Sequence, residues 1–308
     1  MVDFKALRET ARGLGGKRLA VAFPHDHDSL QAVVAAADHG LVTPVLIGER
    51  EIIAPIVEEL GAGIDVFEVV EADSAEAAAD TAAALVGAGE ADALMKGLLD
   101  TSTVLKAVLK SEHGLRSGRL LSHVAVFCVP NYPRLLLVSD AAMNIAPTVE
   151  QKREIIENAV DVAQALGIAT PKVAMLCAKE KEDSKMPATV DAATLAKLNR
   201  DGGLTGCKVS GPLALDNAVS LEAAKQKGIT DPVAGQADVL IASTIEVGNV
   251  LYKALAFLAG ADTAGLIVGA RAPVVLTSRA DSTAVKLDSI ALAAVYAAHC
   301  NRSEPAGF

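Results

Sequence analysis

The feature that most constrains this chain is a rhythm: short aliphatic runs alternate with segments of helical period almost from the start. Residues 18–23 read as a strand, and residues 28–39 as a helix capped by Asp28 or Ser29. Further strands at 44–47, 66–70 and 92–95 alternate with helices at 52–60, 75–88 and 102–111. Such alternation predicts βαβ units and a parallel sheet, because parallel neighbours need a long crossover, usually a helix. The rhythm breaks once. Residues 122–129 and 134–138 are joined by Pro130-Asn131-Tyr132-Pro133, too short for a crossover, which predicts an antiparallel pair. Thr148, with Gln151 three residues on, predicts a capping box opening a helix to about 166, with Gly167 as its C-cap.

After Pro171 the alternation resumes, with strands at 173–177, 207–210, 239–242, 266–268 and 274–276. An amphipathic, Ala-rich helix at 284–299 closes the chain. With 308 residues, one large or two smaller domains are expected. The fold class expected is α/β: two domains of mostly parallel sheet with helices on both faces. The change of rhythm sets the boundary near Met143, giving residues 1–142 plus 284–308 as one domain and 143–283 as the other.

Composition narrows the function classes. Lys and Arg total 28 against 38 Asp and Glu, a net charge of −10, so neither nucleic acid nor an anionic membrane is an expected partner. An anionic substrate must therefore meet a local cationic pocket. The greasiest stretch, 250–276, is interrupted by Lys253, Asp262 and Arg271, so no membrane span is expected. Cys128, Cys177, Cys207 and Cys300 lie far apart with no CxxC pair. They read as buried reduced thiols, three of them in or beside apolar runs, and residues 1–12 lack the apolar core of a signal peptide. The expected location is the cytoplasm.

Candidate chemistry gathers where strands run into polar residues, the edge at which open α/β sheets bind ligands. After the strand at 274–276 come Thr277, Ser278, Arg279, Asp281 and Ser282, then a helix. Arg279 offers a planar fork for an anion, Ser278 a hydroxyl, and the helix start free N–H groups. A capping turn with Asp281 or Ser282 as cap and a solvated Arg279 explains the same spacing, and both readings stand. Ser139-Asp140 through Asn144 follows another strand; a substrate contact and an Asx turn are the alternatives. Lys96-Gly97, before Thr101-Ser102-Thr103, reads as an anion cradle or as a loop lysine. Gly248-Asn249 permits close backbone approach or merely caps a helix. His25-Asp26-His27-Asp28 cannot all face one metal ion and reads as a capping loop. No GxGxxG, P-loop or GxSxG motif occurs, which counts against a Rossmann dehydrogenase, a P-loop NTPase and an α/β-hydrolase.

These blocks, together with Lys185-Met186-Pro187-Ala188-Thr189, Ser210-Gly211-Pro212-Leu213-Ala214-Leu215-Asp216 and Gly248 to Lys253, resemble the phosphate acetyl/butyryltransferase family, and the butyryl branch more closely. The resemblance runs over about residues 15–300. It implies reversible transfer of a short acyl group, acetyl to butyryl, between coenzyme A and inorganic phosphate. It also implies a fold like that of the isocitrate and isopropylmalate dehydrogenases, with the active site in an interdomain cleft. Ser278, Arg279 and Asp281 are then the expected catalytic residues, and Lys96, Asp140, Asn144, Gly248, Asn249 and Thr277 the expected substrate contacts. Asp288 is the other nearby acid, so the general base is not fixed. No cofactor is implied, since acyl-CoA and phosphate are substrates; a homodimer is expected. The rival readings are an NAD-dependent oxidoreductase on the same fold and a non-catalytic CoA-binding regulatory protein.

Overall fold

In the computed structural model, residues 3–278 and 281–303 are described, with side chains through residue 300. The chain opens with α1 (Phe4–Arg12), β1 (Lys17–Ala22), α2 (His27–Asp38), β2 (Val42–Ile47), α3 (Arg50–Glu59), β3 (Glu68–Val70), α4 (Ala75–Gly87), β4 (Ala93–Lys96) and α5 (Thr101–Val108). It continues with β5 (Ser122–Cys128), β6 (Leu136–Ser139), α6 (Val149–Ala165), β7 (Lys172–Leu176), α7 (Pro187–Arg200), β8 (Lys208–Leu213), α8 (Leu215–Val219), α9 (Leu221–Gln226), β9 (Val239–Ile241) and α10 (Ile245–Lys253). A π-helical turn, Ala254–Leu258, extends α10; β10 (Asp262–Val268), β11 (Val274–Val275) and α11 (Thr283–Ser303) complete the chain. Two compact units result, one holding Phe4–Arg119 with the return from Ala264, the other holding Leu120–Thr263. The divisions thus fall at 119/120 and within β10, not near Met143 and 284. The antiparallel pair β5–β6 belongs wholly to the second unit, and β11 inserts beside β4 in the first.

In the first unit the strand order is β3-β2-β1-β4-β11-β10, parallel except for β10 against β11. The connection between these two strands, residues 269–273, is too short for a crossover, by the same rule that predicts β5–β6 antiparallel. Helix α11 packs across β11, β4, β1 and β2 and against α1 and α2. Its residues 288–298 are all buried, so it is not the one-sided helix that its composition suggests. Alanine makes this possible: side chains of one carbon let a helix approach neighbours on every side, and a helix apolar all round is a core element. Ile290 and Leu292 are fully buried there. Asp288, also buried, is ion-paired with Arg8 of α1.

In the second unit the order is β5-β6-β9-β7-β8, parallel except for the predicted antiparallel β5–β6. Thr148 and Gln151 form the predicted capping box of α6; Leu166 is the C-cap and Gly167, at φ 90°, the left-handed residue after it. The core gathers Phe127, Leu136, Val138, Leu176 and Leu240, with Tyr252 edge-on to Phe127 at 5.3 Å. All four cysteines are free, and only Cys207 is fully buried. Burial pushes the Cys177 and Cys207 thiols up to about 11, which leaves both protonated and unreactive at neutral pH. No described helix is long and apolar enough to cross a membrane.

Candidate active site

Parallel pairing brings the carboxyl ends of β1, β4 and β11 level: Ala22 lies opposite Lys96, and Val275 opposite Met95. Beyond that edge the chain after β1 turns through Phe23, whose φ of 53° is unusual for a bulky residue. The next loop closes on it, Gly97 N–H donating to the Ala22 carbonyl and Leu98 N–H to the Phe23 carbonyl, each at 2.8 Å. A Cβ at Gly97 would stand 2.4 Å from the Phe23 carbonyl oxygen, so only glycine lets these loops meet. Lys96 is thereby held as a buried cation at the end of β4, its Nζ donating to the carbonyls of Gly97 (3.3 Å) and Leu99 (3.1 Å).

A cavity of about 130 Å³ opens at this edge, lined by Asp26, Ser29, Lys96, Thr277, Ser278 and Lys286 among others. One buried water needs only about 10–15 Å³, so there is room for a small polyatomic anion. Asp26, not Asp28 or Ser29, is the N-cap of α2, accepting from Ser29 N–H at 2.8 Å; helix α2 starts earlier, at His27. Its neighbour His25 accepts from Glu49 N–H through Nε2 at 3.0 Å and stacks on Phe23. Burial lowers the His25 pKa, against the opposing pull of Glu49 and Asp26.

The segment after β11 forms the capping turn that its spacing allowed. Ser282 caps α11, its Oγ accepting from Val285 N–H at 3.3 Å. Asp281 closes a turn, Oδ2 accepting from Ser278 N–H at 2.7 Å and its own N–H donating to the Ser278 carbonyl at 3.1 Å. Ser278 is exposed and Thr277 buried on the cavity wall. Arg279 lies outside the described residues. Asp288 is engaged with Arg8 of α1, whereas Asp281 is bonded to Ser278, which lines the cavity.

The remaining predicted contacts gather in the second unit, at the carboxyl ends of β6 and β9. Asp140 is buried, and its carboxylate accepts from the N–H groups of His123 (3.1 Å), Ala142 (2.8 Å) and Met143 (2.9 Å) and from Asn144 Nδ2 (2.6 Å). Asn144 Nδ2 also reaches the Leu121 carbonyl, and Asn249 Nδ2 the Ala141 carbonyl. Gly248 sits inside α10, where a Cβ would stand 2.2 Å from the Asp140 carbonyl oxygen. These four residues do come together, but as a knot that fixes one loop.

Two features escaped the sequence reading. Lys286 is buried to 3% exposure in the first turn of α11, where it lines the cavity. The available signal was a lysine where the helix dipole disfavours a cation. The second is an apolar groove of about 750 Å³ in the second unit, lined by Leu176, Met186, Leu215, Val247, Val250 and Leu251. Its residues come from four separate elements, so no local pattern announces it.

Fold and pocket together define an α/β protein with a polar cavity, walled by two buried lysines, at the carboxyl edge of a mostly parallel sheet. The chain belongs to the phosphate acetyl/butaryl transferase family, whose model matches residues 74–294. It is 47% identical to a phosphate butyryltransferase of Clostridium acetobutylicum, over 91% of this chain and 93% of that protein. It is 48% identical to a phosphate acetyltransferase of Thermotoga maritima, over 94% and 98%. The solved structure of a branched-chain phosphotransacylase from Enterococcus faecalis V583, 38% identical, superposes with a TM-score of 0.82 over 91% of this chain and 99% of that one.

Proposed function

We propose that this chain is an acyltransferase that moves a short acyl group reversibly between coenzyme A and inorganic phosphate. The observation that carries the reading is the cavity walled by two buried lysines and Ser278, in a chain whose relatives are phosphate acyltransferases over nearly their whole length. Acyl-CoA and phosphate are substrates, and no cofactor takes part. A phosphate oxygen attacks the thioester carbonyl, the C–S bond breaks, and the CoA thiolate leaves and takes up a proton. Phosphate is already a nucleophile, so the site has to orient two anions, offset their repulsion and stabilise an oxyanion. Arg279 neutralises phosphate and Ser278 donates to the oxyanion or the leaving thiolate. Asp281 holds Ser278 through Oδ2, while Oδ1, which has no partner among the described residues, is free to take the phosphate proton.

Asp140, Asn144, Gly248 and Asn249 support the substrate indirectly in this reading, by fixing a loop, and Lys96 and Thr277 meet the anion directly. The fold kinship with isocitrate and isopropylmalate dehydrogenases is part of the same reading. A second copy of the chain is the proposed partner, covering Val250, Phe257 and Leu258, which are 68%, 76% and 87% exposed. Free cysteines fit a reducing cytoplasm. The test is thiol release from acetyl-, propionyl- and butyryl-CoA with and without phosphate. Phosphate-dependent release is expected, and its absence with all three overturns the reading.

A further inference from the structure

Lys286 is placed against three physical preferences at once. It is a cation in the first turn of a helix, where the dipole repels positive charge. It is 3% exposed, so it is largely withdrawn from bulk solvent. It also shares its cavity with a second buried cation, Lys96. Against this stands one hydrogen bond among the described residues, from Nζ to the Asp281 carbonyl at 2.7 Å. An ammonium has three donors, so two remain for a ligand. Of the carboxylates lining the cavity, Asp26 caps α2 through Oδ1 and Asp28 is exposed in the first turn of that helix; neither makes a contact ion pair with Lys286 among the described residues.

We propose that Lys286 binds the phosphate substrate directly, its Nζ bridging the Asp281 carbonyl and a phosphate oxygen. The inference rests on the acyltransferase reading and adds a residue to it. Two ammonium groups converge on the anion from separate elements, Lys96 from the end of β4 and Lys286 from α11.

The test compares wild type, Lys286→Gln and Lys286→Arg in two measurements. Inorganic phosphate is titrated calorimetrically without acyl-CoA, and KM for phosphate and for acyl-CoA are determined separately. Losing a charge-assisted hydrogen bond predicts a phosphate Kd and KM raised about 10- to 100-fold in Lys286→Gln. KM for acyl-CoA should stay within about twofold of wild type, and Lys286→Arg should recover most of the phosphate affinity. Unchanged phosphate affinity, or equal rises in both KM values without rescue by arginine, overturns the proposal. If Lys286→Gln does not fold, wild-type protein carrying 13C-labelled lysine supplies the test, with the Lys286 signal identified from Lys286→Arg. That signal must shift on adding phosphate, and an unmoved signal overturns the proposal. A wild type that binds phosphate but turns over no acyl-CoA would refute the acyltransferase reading alone.

Discussion

The cavity around Lys96 and the loop around Asp140 look alike in the sequence and differ in the structure. Both follow a buried parallel strand, and both place charged and hydroxyl or amide groups at its carboxyl end. At Asp140 every acceptor position in use goes to the protein itself: three backbone N–H groups and one side-chain amide converge on one carboxylate. At the cavity Lys286 has one carbonyl partner, and the Ser278 side chain is exposed. A polar residue at a sheet edge serves either its own loop or a ligand, and unspent hydrogen-bonding capacity tells which.

The largest effect should come from breaking the satisfied side. Asp140→Ala leaves three N–H groups and the Asn144 amide without their acceptor in a buried site, at a cost of about 3–5 kcal/mol. Urea unfolding measures this; a stable but inactive variant would show instead that Asp140 meets substrate. Next, Ser278→Ala should leave stability within about 0.5 kcal/mol, the side chain being exposed. Its kcat should fall about 10²-fold, as for loss of one oxyanion donor, and wild-type turnover would remove Ser278 from the chemistry.

The two glycines sharpen the comparison. Gly97→Ala and Gly248→Ala each push a Cβ into a backbone carbonyl, costing about 1–3 kcal/mol if the loops cannot give way. Only Gly97→Ala should raise KM for phosphate, because only that loop carries a cavity lysine. Equal kinetic effects would erase the distinction between the two regions. The smallest effect concerns pH. The folded pKa of His25 lies below its ordinary value, so the unfolded chain binds more protons once pH drops below about 6.5. Stability contributed by neutral His25 is present above that value and lost as pH falls toward the folded pKa, by at most about 1.4 kcal/mol per pH unit. His25→Gln, which keeps an acceptor for Glu49 N–H, should flatten that slope in urea titrations at pH 5–7.

Much of the fold was legible because it is written in local pattern. The βα rhythm, the antiparallel β5–β6 pair and the capping box of α6 each depend on residues close together in the chain. The placement of β11 beside β4, the burial of α11 over residues 288–298 and the division at 119/120 do not, since each depends on which distant surfaces meet. The site divides in the same way. Lys96, Thr277, Ser278 and Asp281 could be picked out because each stands at or just after a strand end, and the order of the motif blocks pointed to the family.

Sequence alone pointed to the class of chemistry through the order of its motif blocks, which match the phosphate acetyl/butaryl transferase family; net charge adds only that cations for an anion must be gathered locally. Only the tertiary structure decided which polar groups remain available. Asp140 and Lys286 are both buried and both charged. One is closed in by three donors from its own loop and one from β5, and the other, with one carbonyl partner, lines a cavity. Apart from His123 these partners are near in the chain; what no spacing rule records is that Lys286 lines a cavity whose other walls, Lys96 and Asp26 among them, come from distant elements.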